Sequence, residues 1–352
     1  MRISKGILSA LAAAILFGAS TPIAKTLVGE IPPLLLAGLL YAGSGLGLAL
    51  GLLLRRLARN RGAPTTFAWP RGSDLGWLAG AILFGGVLGP VLLMLGLIST
   101  PASVSALLLN LEAVFTALLA WFVFRENFDR RIAAGMALIV VGGLVLSWKP
   151  DQLAMAPGAL LVAAACLCWA IDNNLTRKVS GSDAMAIACI KGLVAGGVNV
   201  GAAVIVGVVV PPLSTAAIAA IVGLAGYGIS LALFVLALRE LGAARTGAYF
   251  SVAPFFGAAL AVAVQHEPVS APLFIAAGLM ASGVWLHLSE VHEHAHQHEL
   301  LEHSHSHVHD AHHRHGHDSD WDGIEPHTHR HVHRPMRHAH PHYPDIHHQH
   351  EH

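Results

Sequence analysis

Ten long apolar segments run through residues 1–289 and constrain this chain more than any other feature. A helix needs about 20 apolar residues to cross the hydrocarbon core of a bilayer. Only 12% of the side chains are charged, against roughly 25% in a soluble domain. The sequence therefore predicts an all-α polytopic membrane protein with ten transmembrane helices in contact with the lipid bilayer. The predicted spans are residues 6–28, 31–54, 75–97, 101–124, 132–148, 157–176, 184–210, 216–238, 243–264 and 272–288.

Lys and Arg collect on one side of these predicted spans. Fourteen lie at the N-terminus or in loops on the same side, and only Lys25 and Lys149 lie on the other. Because loops rich in Lys and Arg stay in the cytosol, we expect both termini to be cytosolic, in a plasma membrane such as the bacterial inner membrane. The fourteen are Arg2, Lys5, Arg55, Arg56, Arg59, Arg61, Arg71, Arg125, Arg130, Arg131, Arg177, Lys178, Arg239 and Arg245.

The two halves of the membrane body resemble each other. "AAAILFGASTPIAK" (residues 12–25) aligns with "AAACLCWAIDNNLT" (163–176), and "NLEAVFTALLAWFVFRE" (110–126) aligns with "SVAPFFGAALAVAVQHE" (251–267). Because each copy holds five spans, an odd number, the second copy must be inverted in the membrane. Inverted repeats are typical of secondary transporters, which alternate access around a site near the bilayer midplane. The predicted units are residues 1–149, residues 150–289 and a C-terminal tail, residues 290–352.

A family resemblance follows from "ALLLNLEAVFTALLAWFVFRENFDRRIAAGMALIVVGGLVLS", residues 106–147. This stretch resembles the end of an EamA-type repeat of the drug/metabolite transporter superfamily, with its Leu-Glu pair, its terminal Arg-Glu and its Gly-rich closing helix. The second copy is less similar, since Ala253 and Pro254 stand where the first has Glu112 and Ala113, although Glu267 keeps the terminal acid. The resemblance implies a ten-helix transporter of small organic solutes, often an exporter. We expect a proton or ion gradient to drive it. It leaves the identity of the small-molecule substrate open.

Glu112 is the strongest candidate for a functional side chain in the membrane. An ionisable group at bilayer depth is expensive and marks a functional site by default. Glu112 lies near the middle of the fourth predicted span, beside Asn110. A carboxylate there suits coupling to a proton or pairing with a cationic substrate. The alternative is a Glu that only hydrogen-bonds to a neighbouring helix.

A second polar cluster, Asp172, Asn173 and Asn174, lies in the sixth predicted span. Its oxygens suit the inner half of a substrate path, and the alternative is water-facing structure or pairing of Asp172 with Arg177. Lys191, in the seventh span, is placed either to contact substrate or to extend its ammonium to the interface.

Residues near other helix ends and kinks are further candidates. Pro22 and Pro254 interrupt helical hydrogen bonding at membrane depth, which is tolerated where the freed carbonyls face protein or a wet cavity. They either mark the path or are harmless kinks. Glu126 and Glu267 end their spans on opposite faces, which favours gating or helix capping. Lys25, near its helix end, is expected to reach the interface.

The tail contains 23 of the 25 histidines and has a net charge of −7 with histidine neutral, against +7 for the body. Neutral imidazole binds zinc, nickel, cobalt and copper well, and such a polar segment is expected to be disordered without metal. The tail is therefore predicted to buffer or sense transition metals, with a response to pH as the alternative. The candidate ligands are His292, His294, His296, His298, His303, His305, His307, His309, His312, His313, His315, His317, His327, His329, His331 and His333.

Three functions remain open at this point. Enzyme motifs and nucleic-acid-binding motifs are not found, so we expect no enzymatic activity, no required cofactor and no nucleic-acid partner. The body offers carboxylate and amide oxygens in its spans, and its cysteines and two histidines do not converge, which favours organic solutes over transition metals as cargo. The alternatives are a transporter of nickel, cobalt, zinc or metal chelates, and a membrane-tethered metal buffer or sensor. The sequence leaves the oligomeric state open.

Overall fold

The computed structural model of the chain describes most of the membrane body and four stretches of the tail. The described residues are 5–58, 74–124, 130–149, 154–177, 179, 184–241, 243–288, 292–298, 301–307, 327–333 and 336–342.

The first half of the body contains seven α-helices that make five spans. Span 1 is α1, span 2 is α2, span 3 joins α3 and α4 through a π-helical segment, span 4 joins α5 and α6, and span 5 is α7. Their bounds are α1 Lys5–Val28, α2 Pro33–Ala58, α3 Asp74–Ala81, the π-helical segment Ile82–Leu88, α4 Gly89–Ser99, α5 Ala102–Leu108, α6 Leu111–Phe124 and α7 Arg130–Ser147.

The second half repeats this order after a two-stranded connection. Span 6 is α8, span 7 is α9, span 8 joins α10 and α11 through another π-helical segment, span 9 joins α12 and α13, and span 10 is α14. The bounds are β1 Trp148–Lys149, β2 Ala154–Met155, α8 Pro157–Arg177, α9 Ala184–Ile205, α10 Leu213–Gly223, the π-helical segment Leu224–Ile229, α11 Ser230–Leu241, α12 Ala243–Phe250, α13 Ala253–Gln265 and α14 Ala271–Leu288.

The predicted ten-span architecture is confirmed. Within the described residues, eight helices are long and apolar enough to cross a membrane, and the last two spans contribute the shorter apolar helices Ala253–Gln265 and Ala271–Leu286. The seventh span is shorter than predicted, because α9 ends at Ile205 and Gly207 adopts a left-handed conformation (φ 78°) that ends the helix. Glycine adopts that conformation without steric cost.

The internal repeat is visible in the irregularities of the helices. The third span of each half contains a π-helical segment, and the fourth span of each half is broken near its middle, at Leu109–Asn110 and at Ser251–Val252. The packing partners also correspond: α1 packs against α11 and α13, while α8 packs against α4 and α6. Five spans related in this way give the two inverted five-helix repeats that the sequence predicts.

Small residues allow the closest helix pairs to form. α2 packs along α9, and α7 packs along α14. A Cβ on Gly192 would lie 2.7 Å from the Cα of Gly45, and a Cβ on Gly283 would lie 2.6 Å from the carbonyl oxygen of Gly135. Since lipid provides no hydrophobic drive for helices to associate, such close backbone contact is a main source of packing energy.

The tail departs from the expected disorder in four seven-residue stretches. His292–His298 (β3) pairs antiparallel with Met336–His342 (β6), and Leu301–His307 (β4) pairs antiparallel with His327–His333 (β5). The physical reason is the alternation of histidine with other residues, because an extended chain repeats every two residues. Ribbons of only two strands are marginally stable in water.

The glycine contact between spans 2 and 7 gives a stability prediction. Gly192→Ala should lower the free energy of unfolding by about 1–3 kcal/mol, and with it the thermal unfolding midpoint in detergent, because its Cβ would overlap with Gly45. Gly197→Ala in the same helix is the matched control, since nothing lies within 4 Å of the added Cβ, and it should be neutral or stabilise by up to about 1 kcal/mol. Equal midpoints for the two variants would contradict this packing.

Candidate substrate path

Glu112 and Asn173 join span 4 of the first half to span 6 of the second half. The Nδ2 of Asn173 donates to Glu112 Oε1 at 2.8 Å and approaches Thr116 Oγ1 at 3.4 Å. Glu112 lies in the first turn of α6, directly after the break in span 4. Asn173 is exposed and Glu112 is half-buried.

Asp172 and Lys191 form an ion pair between spans 6 and 7. The Nζ of Lys191 lies 2.5 Å and 2.6 Å from the two Asp172 oxygens, and Thr176 Oγ1 donates to Asp172 Oδ1 at 2.9 Å. Only 17% of the Lys191 side chain and 9% of the Asp172 side chain are exposed. The ammonium of Lys191 thus lies inside the bundle and not at the interface, and its partner supplies the charge that a buried cation needs.

Donors from three helices hold the π-helical segment of span 3. The carbonyl oxygen of Gly85 accepts from Tyr41 Oη at 2.7 Å and from Trp169 Nε1 at 2.9 Å, while Asn199 Nδ2 donates to the carbonyl of Gly86 at 3.2 Å. A π-helical segment disturbs the regular hydrogen-bond ladder and frees carbonyls, which in lipid must find internal donors. The carboxylate of Asp172 lies against Gly85 where a side chain would otherwise be.

Sequence reasoning missed Tyr41, Trp169 and Asn199. The signal that was available is Asn199, a polar residue deep in an apolar span, together with the adjacent glycines Gly85 and Gly86 in the third span. Tyr and Trp rings are common in membrane helices, so their hydrogen bonds do not show in the sequence.

Aromatic rings extend from this site into the second half. The Tyr41 and Tyr227 ring centroids are 5.5 Å apart, Phe17 lies 6.0 Å from Tyr227, and Phe250 lies 5.5 Å from Phe17. All four side chains are half-buried. Tyr41 therefore connects the π-helical segment of span 3 to rings contributed by spans 1, 8 and 9.

The other candidate asparagines have local roles. Asn110 is 6% exposed, and its Nδ2 donates to the Leu107 carbonyl at 2.9 Å, which satisfies backbone at the break in span 4. Asn174 Nδ2 donates to the Ala170 carbonyl at 2.9 Å, while its buried Oδ1 has no partner.

The proline and terminal-acid candidates lie away from Glu112. The Pro22 carbonyl accepts from Gln265 Nε2 at 2.6 Å. Pro254 lies in the first turn of α13, directly after the break of span 9 at Ser251–Val252, so the helical hydrogen bonding is interrupted there as the sequence predicts. Glu267 accepts from the backbone N–H groups of a neighbouring helix. Glu126 lies outside the described residues.

Glu112 is the uncompensated charge of this site. Asp172 and Lys191 neutralise each other, both act electrostatically on Glu112, and among the described residues no Lys or Arg side chain contacts Glu112. The described residues also contain no group of three or more His, Cys, Asp or Glu side chains arranged for a metal ion.

The comparisons with known proteins agree with this architecture. The EamA-like transporter family matches residues 4–148 and 156–289, which together cover most of the chain. This chain belongs to the EamA-like transporter family. An uncharacterised transporter of Methanothermobacter thermautotrophicus is 30% identical to this EamA-like transporter over 301 residues, which are 81% of this chain and 87% of the relative.

Other relatives of this EamA-like transporter have more informative names. A probable amino-acid metabolite efflux pump of Salmonella typhimurium is 31% identical over 48% of this chain and 52% of the pump. A probable 4-amino-4-deoxy-L-arabinose-phosphoundecaprenol flippase subunit of Pseudomonas fluorescens is 40% identical over 25% of this chain and 74% of that subunit. A crystal structure with a TM-score of 0.58 and 21% identity, covering 81% of this chain and 96% of that one, shares the fold.

The ion pair between spans 6 and 7 predicts a non-additive mutant cycle. Lys191→Met should destabilise the protein by about 3–5 kcal/mol, because it leaves a buried, unpaired carboxylate on Asp172. Adding Asp172→Asn should restore most of that loss. Thermal unfolding of both single variants and the double variant in one detergent measures the coupling, and strictly additive shifts would contradict a buried pair.

Proposed function

We propose that this membrane transporter moves small organic solutes such as amino acids or related amines by alternating access, in the export direction, with Glu112 as the coupling residue. The observation that carries the proposal is the uncompensated carboxylate of Glu112, set among the amide and hydroxyl groups of Asn173 and Thr116. A net negative charge at bilayer depth is unfavourable, so Glu112 binds either a proton or a cationic group of the substrate.

The surroundings of Glu112 favour an organic cation over a transition metal. Tyr41 donates to Gly85, against which Asp172 lies. The Tyr41 ring contacts Tyr227, which in turn contacts Phe17. Aromatic ring faces attract ammonium groups. Ions such as nickel, copper and zinc bind well to imidazole or thiolate, which the described spans do not bring together. The relatives named as amino-acid metabolite efflux pumps support export of amino-acid-like solutes.

The orientation in this proposal follows the distribution of Lys and Arg. With 14 of these residues on the side of the N-terminus and two on the other, the N-terminus and the tail are in the cytosol. Asp172 and Lys191 then lie towards the cytosolic ends of spans 6 and 7. Glu126, aligned with Glu267 in the inverted repeat, remains a predicted gating residue.

Loss of the Glu112 charge should abolish coupled transport. In proteoliposomes with an imposed pH gradient, Glu112→Gln should reduce gradient-driven amine flux at least about 100-fold. The reason is that the side-chain amide of glutamine neither releases a proton near neutral pH nor neutralises an ammonium group. Glu30→Gln, an exposed acid at the end of span 1, is the matched control and should retain full flux. Undiminished flux in Glu112→Gln would remove Glu112 from the proposal.

The proposal also gives the tail a role as a metal buffer or sensor. In the register of the ladders, His294 is opposite His340, His296 is opposite His338, and His305 is opposite His329. Facing positions in an antiparallel pair have Cα atoms about 4.5–5.5 Å apart, a spacing that lets two imidazoles share one metal ion. The second function, transport of the metal itself, has no comparable support in the described spans.

Metal binding by the tail is measurable without transport. The full-length protein should bind several zinc or nickel ions in isothermal titration at pH 7.5, and deletion of residues 290–352 should abolish this binding while leaving amine flux intact. At pH 5 the histidines are protonated, and affinity should fall because only neutral imidazole is a ligand. Equal metal binding by the full-length and deleted proteins would contradict this role.

A further inference from the structure

The end of span 9 has an unusual backbone conformation that directs its side chains to two other spans. His266 has a φ of 52° and is, within the described residues, the one non-glycine with positive φ. Such conformations are strained and persist where surrounding contacts hold them. Here the contacts are hydrogen bonds made by the residues on either side, Gln265 and Glu267.

Gln265 holds span 9 to span 1. Its Nε2 donates to the carbonyl oxygen of Pro22 at 2.6 Å and to Thr26 Oγ1 at 3.1 Å. The Pro22 carbonyl lies in the last two turns of α1, so this contact closes the gap between the ends of spans 1 and 9.

Glu267 holds span 9 to span 4 of the opposite repeat. Its two carboxylate oxygens accept from the backbone N–H of Ala102 at 2.6 Å and of Ser103 at 2.9 Å. These are the first residues of α5, where the N–H groups lack partners in the helix. Hydrogen bonds from N–H groups to a carboxylate are about twice as strong as neutral ones.

Lys25 holds span 1 to the end of span 3. Its ammonium donates to the carbonyl oxygens of Leu97 and Ile98 in the last turn of α4. The short connection between spans 3 and 4, Thr100 and Pro101, is therefore held on one side by a cation and on the other by an anion. Four spans from both repeats meet at this one face.

The opposite face lacks the equivalent contacts among the described residues. α5 packs against α13, whereas α6 and α12, their counterparts under the inverted repeat, make no comparable contact. In the same way α1 packs against α4 and α5, while its counterpart α8 does not pack comparably against α11 and α12. Among the described residues, the helix contacts that close a face are thus found at the side of Lys25 and Glu267.

We propose that Lys25, Gln265 and Glu267 form a latch that closes one gate of the transporter, an inference that rests on the proposed alternating-access function. Opening requires Glu267 to release the α5 amides and Gln265 to release span 1. The breaks at Leu109–Asn110 and Ser251–Val252 then let α5 and α13 separate without moving α6 and α12. By the positive-inside argument the latched gate faces away from the cytosol.

The latch is tested by the accessibility of Ser103, whose side chain is 2% exposed beneath it. Ser103→Cys is introduced into the full-length protein in lipid nanodiscs, and the rate of maleimide labelling is measured. Adding Glu267→Gln should raise this rate about tenfold or more, since a neutral amide replaces a carboxylate that accepts two hydrogen bonds. Gln265→Leu should raise it as well, and Glu30→Gln, an exposed acid at the same face, should not.

Folding and function are separated within the same experiment. Cys166, Cys168 and Cys189 are buried, so a variant in which maleimide does not label them is folded. If Glu267→Gln exposes these cysteines, the labelling rate of Ser103→Cys in the Gln265→Leu protein tests the latch instead. An unchanged labelling rate in a folded Glu267→Gln or Gln265→Leu protein overturns the latch, even if the protein transports amines. Faster labelling without any amine flux in the parent protein supports the latch and overturns the proposed transport function.

Discussion

Inside a bilayer every polar group must find its partner within the protein, and this constraint explains where the irregular parts of this transporter lie. The π-helical segment of span 3 frees carbonyls, and Tyr41, Trp169 and Asn199 donate to Gly85 and Gly86. At the start of span 4, the carboxylate of Glu267 accepts hydrogen bonds from the backbone N–H groups of Ala102 and Ser103. Backbone departures from regular helix are tolerated only where such partners exist.

The same constraint distinguishes Glu112 from the other membrane charges. Asp172 and Lys191 satisfy each other, and the Lys25 ammonium binds carbonyls at a helix end, where the helix dipole favours a cation. Among the described residues, the side chain of Glu112 has only the amide of Asn173 as a donor. In the function that we propose, Glu112 is therefore the group that binds a proton or an ammonium, and the two inverted repeats expose it to each side of the membrane in turn.

The sequence predicts the spans, the repeat and the best site residue, because each depends on local composition. Ten apolar runs predict ten spans, and an isolated carboxylate at position 112 stands out in an apolar run. The partners could not be predicted in the same way. Lys191 and Asp172 are 19 positions apart on different helices, and their pairing depends on helix rotation, which apolar spans with polar residues on several faces do not specify.

The contacts of the latch could not be predicted from the sequence either. Lys25 and Leu97 lie 72 positions apart, and a lysine near a helix end ordinarily extends to the interface. The terminal acid of the second repeat was recognisable as Glu267, but its contact with α5 depends on the left-handed conformation of His266. Histidine is enriched among the non-glycine residues with that conformation, but it remains uncommon there, so a single histidine does not identify it in a sequence. The tail is the opposite case: its histidine pattern is easily recognised in the sequence, but none of the candidate path residues lies in it.

The most direct test of the account is flux in proteoliposomes containing either the full-length protein or the protein without residues 290–352. The panel contains amino acids, organic amines, nickel, cobalt and zinc. The account predicts that one or more ammonium-bearing organic solutes cross at equal rates with and without the tail, and that no metal ion is transported. Transport confined to metal ions, and lost when the tail is removed, would contradict it.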